Sequence, residues 1–183
     1  NLYTGSTGVI LFYLELFQAT QNEQFLEEAK SGADFLLYYL PEKKFDTEEI
    51  GLYTGLAGIC YTLEKVFEAT KAERFSVGAS KYHNLLMSKA RAIDNAVDWR
   101  YTDIVYGASG IGLYLLNSTH QTTAKKHAIK TGRGLLRDDF GAKKEFRWYM
   151  DTAMVKQNYY MPNFSHGTAG VCYFLVRLYA ATS

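Results

Sequence analysis

The sequence predicts an all-α fold, an α/α toroid in which helical hairpins form an inner and an outer layer. A Gly-x-x-Gly motif followed by an apolar run occurs four times along the 183 residues. After each of the first three copies come a polar turn and an amphipathic segment with helical periodicity. Strand signals are weak, because the sequence has no clear period-two alternation and no Asn-Gly or Asp-Gly hairpin turn.

The first unit begins near residue 3 with "YTGSTGVILFYLELFQAT". Its run after Gly8 is apolar on nearly all sides, which is typical of a helix buried in the interior. The following segment, "NEQFLEEAKSGADFLLYYL", has one apolar face and is predicted to be an outer helix. The residues of that face are Phe25, Leu26, Ala29, Ala33, Leu36, Leu37 and Leu40.

The later units start near residues 53, 106 and 165, with first glycines at Gly55, Gly107 and Gly167. Their outer helices are predicted over roughly 73–93 and 122–137, and the fourth unit contributes only an inner helix. This indicates a partial toroid of about four inner and three outer helices in a single domain, 1–183. An open solenoid is the alternative, but fully apolar inner helices favour a closed ring.

The glycines of the motif have a structural explanation. Inner helices crowd together where they begin, and glycine permits close backbone approach and a positive φ in the incoming loop. A phosphate-binding loop is a poor interpretation, because no strand precedes the motif and the Lys-Ser/Thr pair is missing.

Composition restricts the function. The chain is 48% hydrophobic and 21% charged, with a net charge of +1, which is ordinary for a globular domain. No cluster of Lys and Arg indicates nucleic-acid binding, and no apolar run is long enough to span a membrane. Two cysteines make no disulfide framework, and no signal peptide is recognisable, so a cytoplasmic protein is expected. The sequence lacks an initiator Met, which indicates a processed chain or a fragment.

Three segments carry a resemblance to a known family. "DIVYGASGIGLYLL" (103–116), "NFSHGTAGVCYFL" (163–175) and "GLYTGLAGICYTL" (51–63) resemble repeat motifs of the lanthionine synthetase C-like family, the lanthipeptide cyclases. The resemblance runs through all four units. It implies a toroid of seven hairpins, of which this chain would be roughly the first half.

The resemblance also implies chemistry. Family members add cysteine thiols to dehydrated Ser or Thr in a peptide, forming thioether rings, with a zinc ion held by two cysteines and a histidine. Those ligands belong to later Trp-Cys-x-Gly-like and Cys-His-Gly segments that this sequence lacks. Zinc is therefore expected in the full-length protein, with no metal ligand in this chain, and the fragment itself is expected to be inactive.

By the same resemblance, His166 and Asp103 match the catalytic histidine and aspartate of the family. A histidine suits proton donation to the enolate formed by thiol addition, because its pKa lies near neutrality. From the residues alone, Asp103 is better explained as a residue that caps or favours a helix N-terminus than as a functional one, and Ser165 could be the cap beside His166. The two residues are one repeat apart, which places both at the same end of adjacent inner helices.

The remaining candidates have structural interpretations. Cys60 and Cys172 hold equivalent positions in two apolar helices and are predicted to be buried. His83, His120 and His127 are expected to be structural or on the surface. The long aromatic segment 137–162 could cover the mouth of the barrel or pack on its outside. Its aromatic candidates are Trp148, Tyr149, Tyr159 and Tyr160.

The leading prediction is a zinc-dependent lanthionine cyclase-like enzyme acting on a peptide. One alternative is an α/α-toroid enzyme that processes glycosides, although only Asp103 is a good inward carboxylate for the pair such enzymes need. The other is a non-catalytic helical-repeat module that binds peptides or glutathione-like thiols. Exposed apolar faces at both ends of the half-ring predict packing against a C-terminal half or a second copy.

Overall fold

A computed structural model describes residues 1–39, 43–137, 147–151 and 160–183, and these residues confirm the all-α fold. Within these ranges the α-helices, numbered in chain order, are α1 (Ser6–Thr20), α2 (Glu23–Tyr39), α3 (Leu56–Thr70), α4 (Glu73–Ser88), α5 (Ala108–Asn117), α6 (Gln121–Leu135) and α7 (Thr168–Thr182). A 3-10 turn at Thr47–Glu49 precedes α3. No helix of the described ranges has the length and apolar character that crossing a bilayer requires.

The helices form the two predicted layers. Helices α1, α3, α5 and α7 each begin directly after the first glycine of a Gly-x-x-Gly motif, and successive ones pack against each other. Helices α2, α4 and α6 pack on the outside of α1, α3 and α5, respectively, so that each pair is an antiparallel hairpin. The prediction of four inner and three outer helices is therefore confirmed for the described residues.

Burial differs along the inner layer. Most residues of α3 and α5 are buried, because each of these helices has neighbours on both sides. Helices α1 and α7 bury only one side, and Phe12, Tyr173, Val176 and Tyr179 lie largely exposed. The expected apolar faces are present at both ends of the half-ring. What packs against them stays a prediction.

The motif glycines allow close approach of the incoming loop, but the expected positive φ is wrong. At the first glycine of each motif φ is negative, for example −159° at Gly55. A Cβ at Gly55 would instead overlap the carbonyl of Glu49, six residues earlier. The same six-residue relation recurs at the second glycines, where a Cβ at Gly58 or Gly110 would overlap the carbonyl of Leu52 or Ile104. Glycine is required at these positions because a side chain would collide with the backbone of the incoming loop.

Replacing Gly55 with alanine should therefore lower the free energy of unfolding by about 3 kcal/mol, because the added methyl collides with rigid backbone. Gly132→Ala in α6 is the control, since its methyl would meet chiefly the terminal Cδ2 of Leu178, a half-buried and flexible side chain that can turn away, and alanine favours the helix. Urea unfolding of both variants measures the difference. Equal stabilities would contradict the space argument.

The loops that lead into the inner helices bond to one another around one end of the ring. Tyr3 N–H donates to the Tyr53 carbonyl (3.1 Å), and Tyr53 N–H donates to the Val105 carbonyl (3.2 Å). Ile104 N–H then donates to the Ser165 carbonyl (3.2 Å). All four units are thus joined at the end where the motif begins, and residues of the third and fourth motifs are held side by side.

The second outer helix ends earlier than predicted. Helix α4 stops at Ser88, and residues predicted to be helical continue into an antiparallel hairpin of strands β1 (Arg91–Ile93) and β2 (Ala96–Asp98). Asp94 in the turn has φ 53°, a conformation that aspartate tolerates better than most residues. The hairpin was missed because three-residue strands are too short for a period-two pattern.

Cys60 and Cys172 differ despite their equivalent positions. Cys60 is fully buried in α3, as predicted. Cys172 is exposed, so its prediction as a buried residue is wrong. The physical reason is that α7 contacts α5 and α6 on one side, and Cys172 lies away from those contacts.

Candidate functional site

Asp103 occupies a position at which the repeat uses a side-chain oxygen to hold the backbone. Its Oδ1 accepts a hydrogen bond from Tyr106 N–H (2.7 Å), three residues later. Asn1 Oδ1 does the same for Thr4 N–H and Asn163 Oδ1 for His166 N–H, each at 2.8 Å. An amide suffices for this local turn. One oxygen of Asp103 thus holds the loop before α5, which begins at Ala108 and has no side-chain cap, and the second oxygen takes no part in this turn.

The second oxygen meets His166. Asp103 Oδ2 lies 2.7 Å from His166 Nδ1, and the aspartate side chain is fully buried while that of the histidine is 31% exposed. The ionised carboxylate accepts the Nδ1 proton, which assigns the tautomer with an unprotonated Nε2 to neutral His166. Nε2 has no hydrogen-bond partner within the part of the chain that the structure describes. The structure thus brings together the two residues that the sequence singled out.

Burial raises the pKa of the Asp103 carboxyl above its ordinary value, because no water solvates the charge. The hydrogen bond from His166 opposes this increase, as does that from the Tyr106 N–H. The Gly107 N–H acts in the same direction, so the ionised form of Asp103 depends on these three donors. A buried carboxylate held in this way orients the imidazole.

An aromatic ring lies against the imidazole. The rings of Tyr106 and His166 are stacked, with centroids 5.7 Å apart and planes inclined by 24°. Both residues directly precede the first glycine of their motifs, so they are equivalent positions of adjacent units. Units one and two have Thr4 and Thr54 at this position. The site is therefore made by two neighbouring copies of the same loop.

A segment distant in sequence supports the Asp103 loop. Thr102 N–H donates to the Met150 carbonyl (2.9 Å), and Thr102 Oγ1 donates to the Tyr149 carbonyl (2.8 Å). Arg100 pairs with the buried carboxylate of Asp151 (3.1 Å). These contacts fix the backbone directly before Asp103. Sequence reasoning missed them because the partners are nearly 50 residues apart and follow no motif.

The described part of segment 137–162 packs against the helices. Trp148 is buried and its Nε1–H donates to the Leu135 carbonyl (2.7 Å). Tyr149 and Tyr160 form an antiparallel bridge. Tyr159 and residues 138–146 lie outside the described residues, so the prediction that this loop covers the barrel mouth is untested.

A second polar cluster involves the C-terminal halves of α3 and α5. The buried carboxylate of Glu64 accepts hydrogen bonds from Tyr114 Oη–H (3.1 Å), Ser118 Oγ–H (2.8 Å) and Thr119 N–H (3.1 Å). Because the Tyr114 hydroxyl donates its proton to Glu64, it accepts one from His83 Nδ1 (2.8 Å). The prediction that His83 is structural fits this arrangement, in which it links outer helix α4 to the inner layer.

The burial of His83 in this cluster predicts that the folded protein loses stability in acid. Burial lowers the pKa of His83 from 6.5 to about 4, and the neighbouring His120 acts in the same direction. Between these values the unfolded chain binds a proton that the folded chain does not. Stability from this group is therefore complete above pH 6.5 and is lost as the pH falls to about 4, by up to ~3 kcal/mol.

Urea unfolding between pH 7 and pH 4 measures this loss in the wild type and in His83→Gln. The variant should show a flatter pH dependence, since glutamine does not titrate and carboxylate contributions are common to both proteins. Parallel curves would show that His83 does not carry the effect.

The described residues do not supply a metal site. No three His, Cys, Asp or Glu side chains of these ranges converge to hold an ion. Cys60 is enclosed in the core, and burial raises the pKa of its thiol, which is the opposite of what a zinc ligand needs. The donor set of Asp103 and His166, with a buried carboxylate 2.7 Å from the imidazole Nδ1, fits proton transfer.

Comparison with protein families identifies the family of this chain. The model of a protein family described as lanthionine synthetase C-like protein matches residues 1–183. No match is found among curated proteins. Since the family match covers the whole length, with all four glycine motifs, Asp103 and His166 inside it, the chain belongs to the lanthionine synthetase C-like family.

Proposed function

We propose that the protein containing this chain forms thioethers by adding cysteine thiols to dehydrated Ser or Thr residues of a peptide, and that His166 is its general acid. The observation that carries this proposal is the 2.7 Å contact between His166 Nδ1 and the buried Asp103 carboxylate. This contact supports a histidine whose Nε2 takes up a proton and then donates it, while Nδ1 stays bonded to Asp103. Family membership supports the class of reaction.

The bonds change as follows. The thiol sulfur loses its proton and attacks the β-carbon of the dehydrated residue, so that a C–S bond forms while the C=C π pair moves toward the carbonyl. The resulting enolate takes a proton at the α-carbon. His166 Nε2–H is the proposed donor, and Asp103 stabilises the imidazolium before transfer. The thiol releases one proton and the α-carbon gains one, so the net reaction consumes none.

A zinc ion that lowers the thiol pKa would need ligands from outside the described residues, because no three of their His, Cys, Asp or Glu side chains converge. The role proposed for His166 and Asp103 does not depend on where that ion sits. The two-carboxylate glycoside mechanism has less support, because Asp103 is paired with an imidazole and not with a second carboxylate.

The test is to incubate the full-length protein with a dehydrated, cysteine-containing peptide. Thioether formation leaves the peptide mass unchanged and removes thiols that an alkylating reagent would label. The expected result is a time-dependent loss of alkylated product, together with zinc in the purified protein. Unchanged thiol labelling would reject the proposed reaction, and full activity of a zinc-free preparation would reject its metal dependence.

A further inference from the structure

Tyr106 touches both members of the proposed catalytic pair. Its backbone N–H donates to Asp103 Oδ1 (2.7 Å), and its ring stacks on the imidazole of His166 with centroids 5.7 Å apart. One residue therefore connects the carboxylate to the imidazole independently of the hydrogen bond between them.

Stacking on the Tyr106 ring restricts a rotation of the His166 imidazole that its hydrogen bond to Asp103 still permits. A single bond from Nδ1 to Asp103 sets one direction of the imidazole, but the ring can still tilt about the line joining Nδ1 to Oδ2. The exposed side of His166 offers little resistance, since 31% of this side chain is accessible to solvent. A flat aromatic face against the imidazole opposes the tilt and so fixes where Nε2 points. The same face attracts the imidazolium through its π electrons.

A second aromatic side chain packs against Tyr106. Its ring contacts that of Tyr101, with centroids 5.8 Å apart. Tyr101 is buried and its hydroxyl donates to Glu48 Oε1 (3.0 Å). The Tyr106 hydroxyl, in contrast, has no hydrogen-bond partner among the described residues. The aromatic face of Tyr106, and not its hydroxyl, is therefore the part that acts.

We propose that Tyr106 is a positioning residue of this site, whose ring holds the His166 imidazole in the orientation that directs Nε2 at the enolate carbon. The inference rests on the function proposed above for His166. The repeat itself does not require an aromatic ring at this position, because the equivalent positions of units one and two are filled by threonine.

The experiment uses two substitutions at one position. Tyr106→Phe keeps the ring and loses only the hydroxyl, so kcat for thioether formation should stay within about twofold of the wild type. Tyr106→Thr installs the residue found at Thr4 and Thr54, which makes it compatible with this loop. It should lower kcat by about 10- to 100-fold with little change in KM, because a misdirected donor weakens the transition state and not substrate binding.

A spectroscopic readout separates this inference from the proposed reaction. The Tyr106 ring current shifts the ring-proton resonances of His166, which NMR detects whether or not the protein turns over. The shift should persist in Tyr106→Phe and disappear in Tyr106→Thr, and a Tyr106→Leu variant gives a second ringless case if the threonine variant folds poorly. A wild type without thioether activity but with this pattern would reject the reaction and support the contact.

Two results would overturn the inference. One is a threonine or leucine variant that keeps the wild-type kcat and His166 resonances. The other is a phenylalanine variant whose kcat falls as far as that of the ringless variants, which would assign the effect to the hydroxyl.

Discussion

Thioether formation should fall by about 10²- to 10⁴-fold in His166→Gln, while the helical circular dichroism stays unchanged. Glutamine can still donate a hydrogen bond to Asp103 Oδ2, which replaces the contact now 2.7 Å long. It has no proton to give an enolate carbon. Because the lost interaction exists only in the transition state, kcat should carry the effect and KM should change little.

The matched control is His127→Gln. His127 is a half-buried histidine on α6 and its Nδ1 lies 3.1 Å from the Thr123 carbonyl, within its own helix. This variant should keep the wild-type rate. A His166→Gln protein that retains its rate within a few-fold would show that the α-carbon takes its proton from another donor.

Asp103→Asn should separate catalysis from stability. The amide oxygen keeps the bond to Tyr106 N–H, as the asparagines at residues 1 and 163 do in their own units. Removing a buried charge also removes the cost that raises the pKa of this carboxyl. The melting temperature should therefore stay equal or rise, while kcat falls on the order of 10²-fold or more because the imidazolium loses its counter-charge.

Differential scanning calorimetry and the thiol-labelling assay measure the two effects. The ¹⁵N resonances of the His166 imidazole add a third readout, since the proton on Nδ1 should lose its preference once the carboxylate is gone. Asn163→Asp is the control, because it adds a carboxylate at the equivalent, exposed position. An Asp103→Asn enzyme with wild-type kcat would leave Asp103 with only its local structural role.

Local features of the sequence predicted most of the fold. Each inner helix begins directly after the first glycine of its motif. Helices α1 and α3 both end at the threonine of the repeated Ala-Thr, and the next residue has φ 56° after α1 and 57° after α3. These boundaries depend on residues within one unit, so one unit suffices to recognise them. The β1–β2 hairpin and the exposed position of Cys172 depend on which element packs alongside, and the pattern of a single unit carries no such information.

The candidate site, too, could be predicted from the sequence only in part. The repeat places residues 103 and 166 at equivalent ends of adjacent units, and the departure of His166 from the threonines of units one and two marks it in the sequence. The support of that site by Thr102, Tyr149 and the ring of Tyr106 comes from segments that no motif connects.

The sequence by itself determined that this chain consists of helical hairpins repeated about every 50 residues, because periodicity and glycine spacing are local properties. Only the tertiary structure decided that Asp103 uses one oxygen for its own loop and the other for His166. The physical reason is that a 2.7 Å contact between residues 63 positions apart requires the packing of α5 against α7. That packing is set by the sum of many contacts and not by either residue.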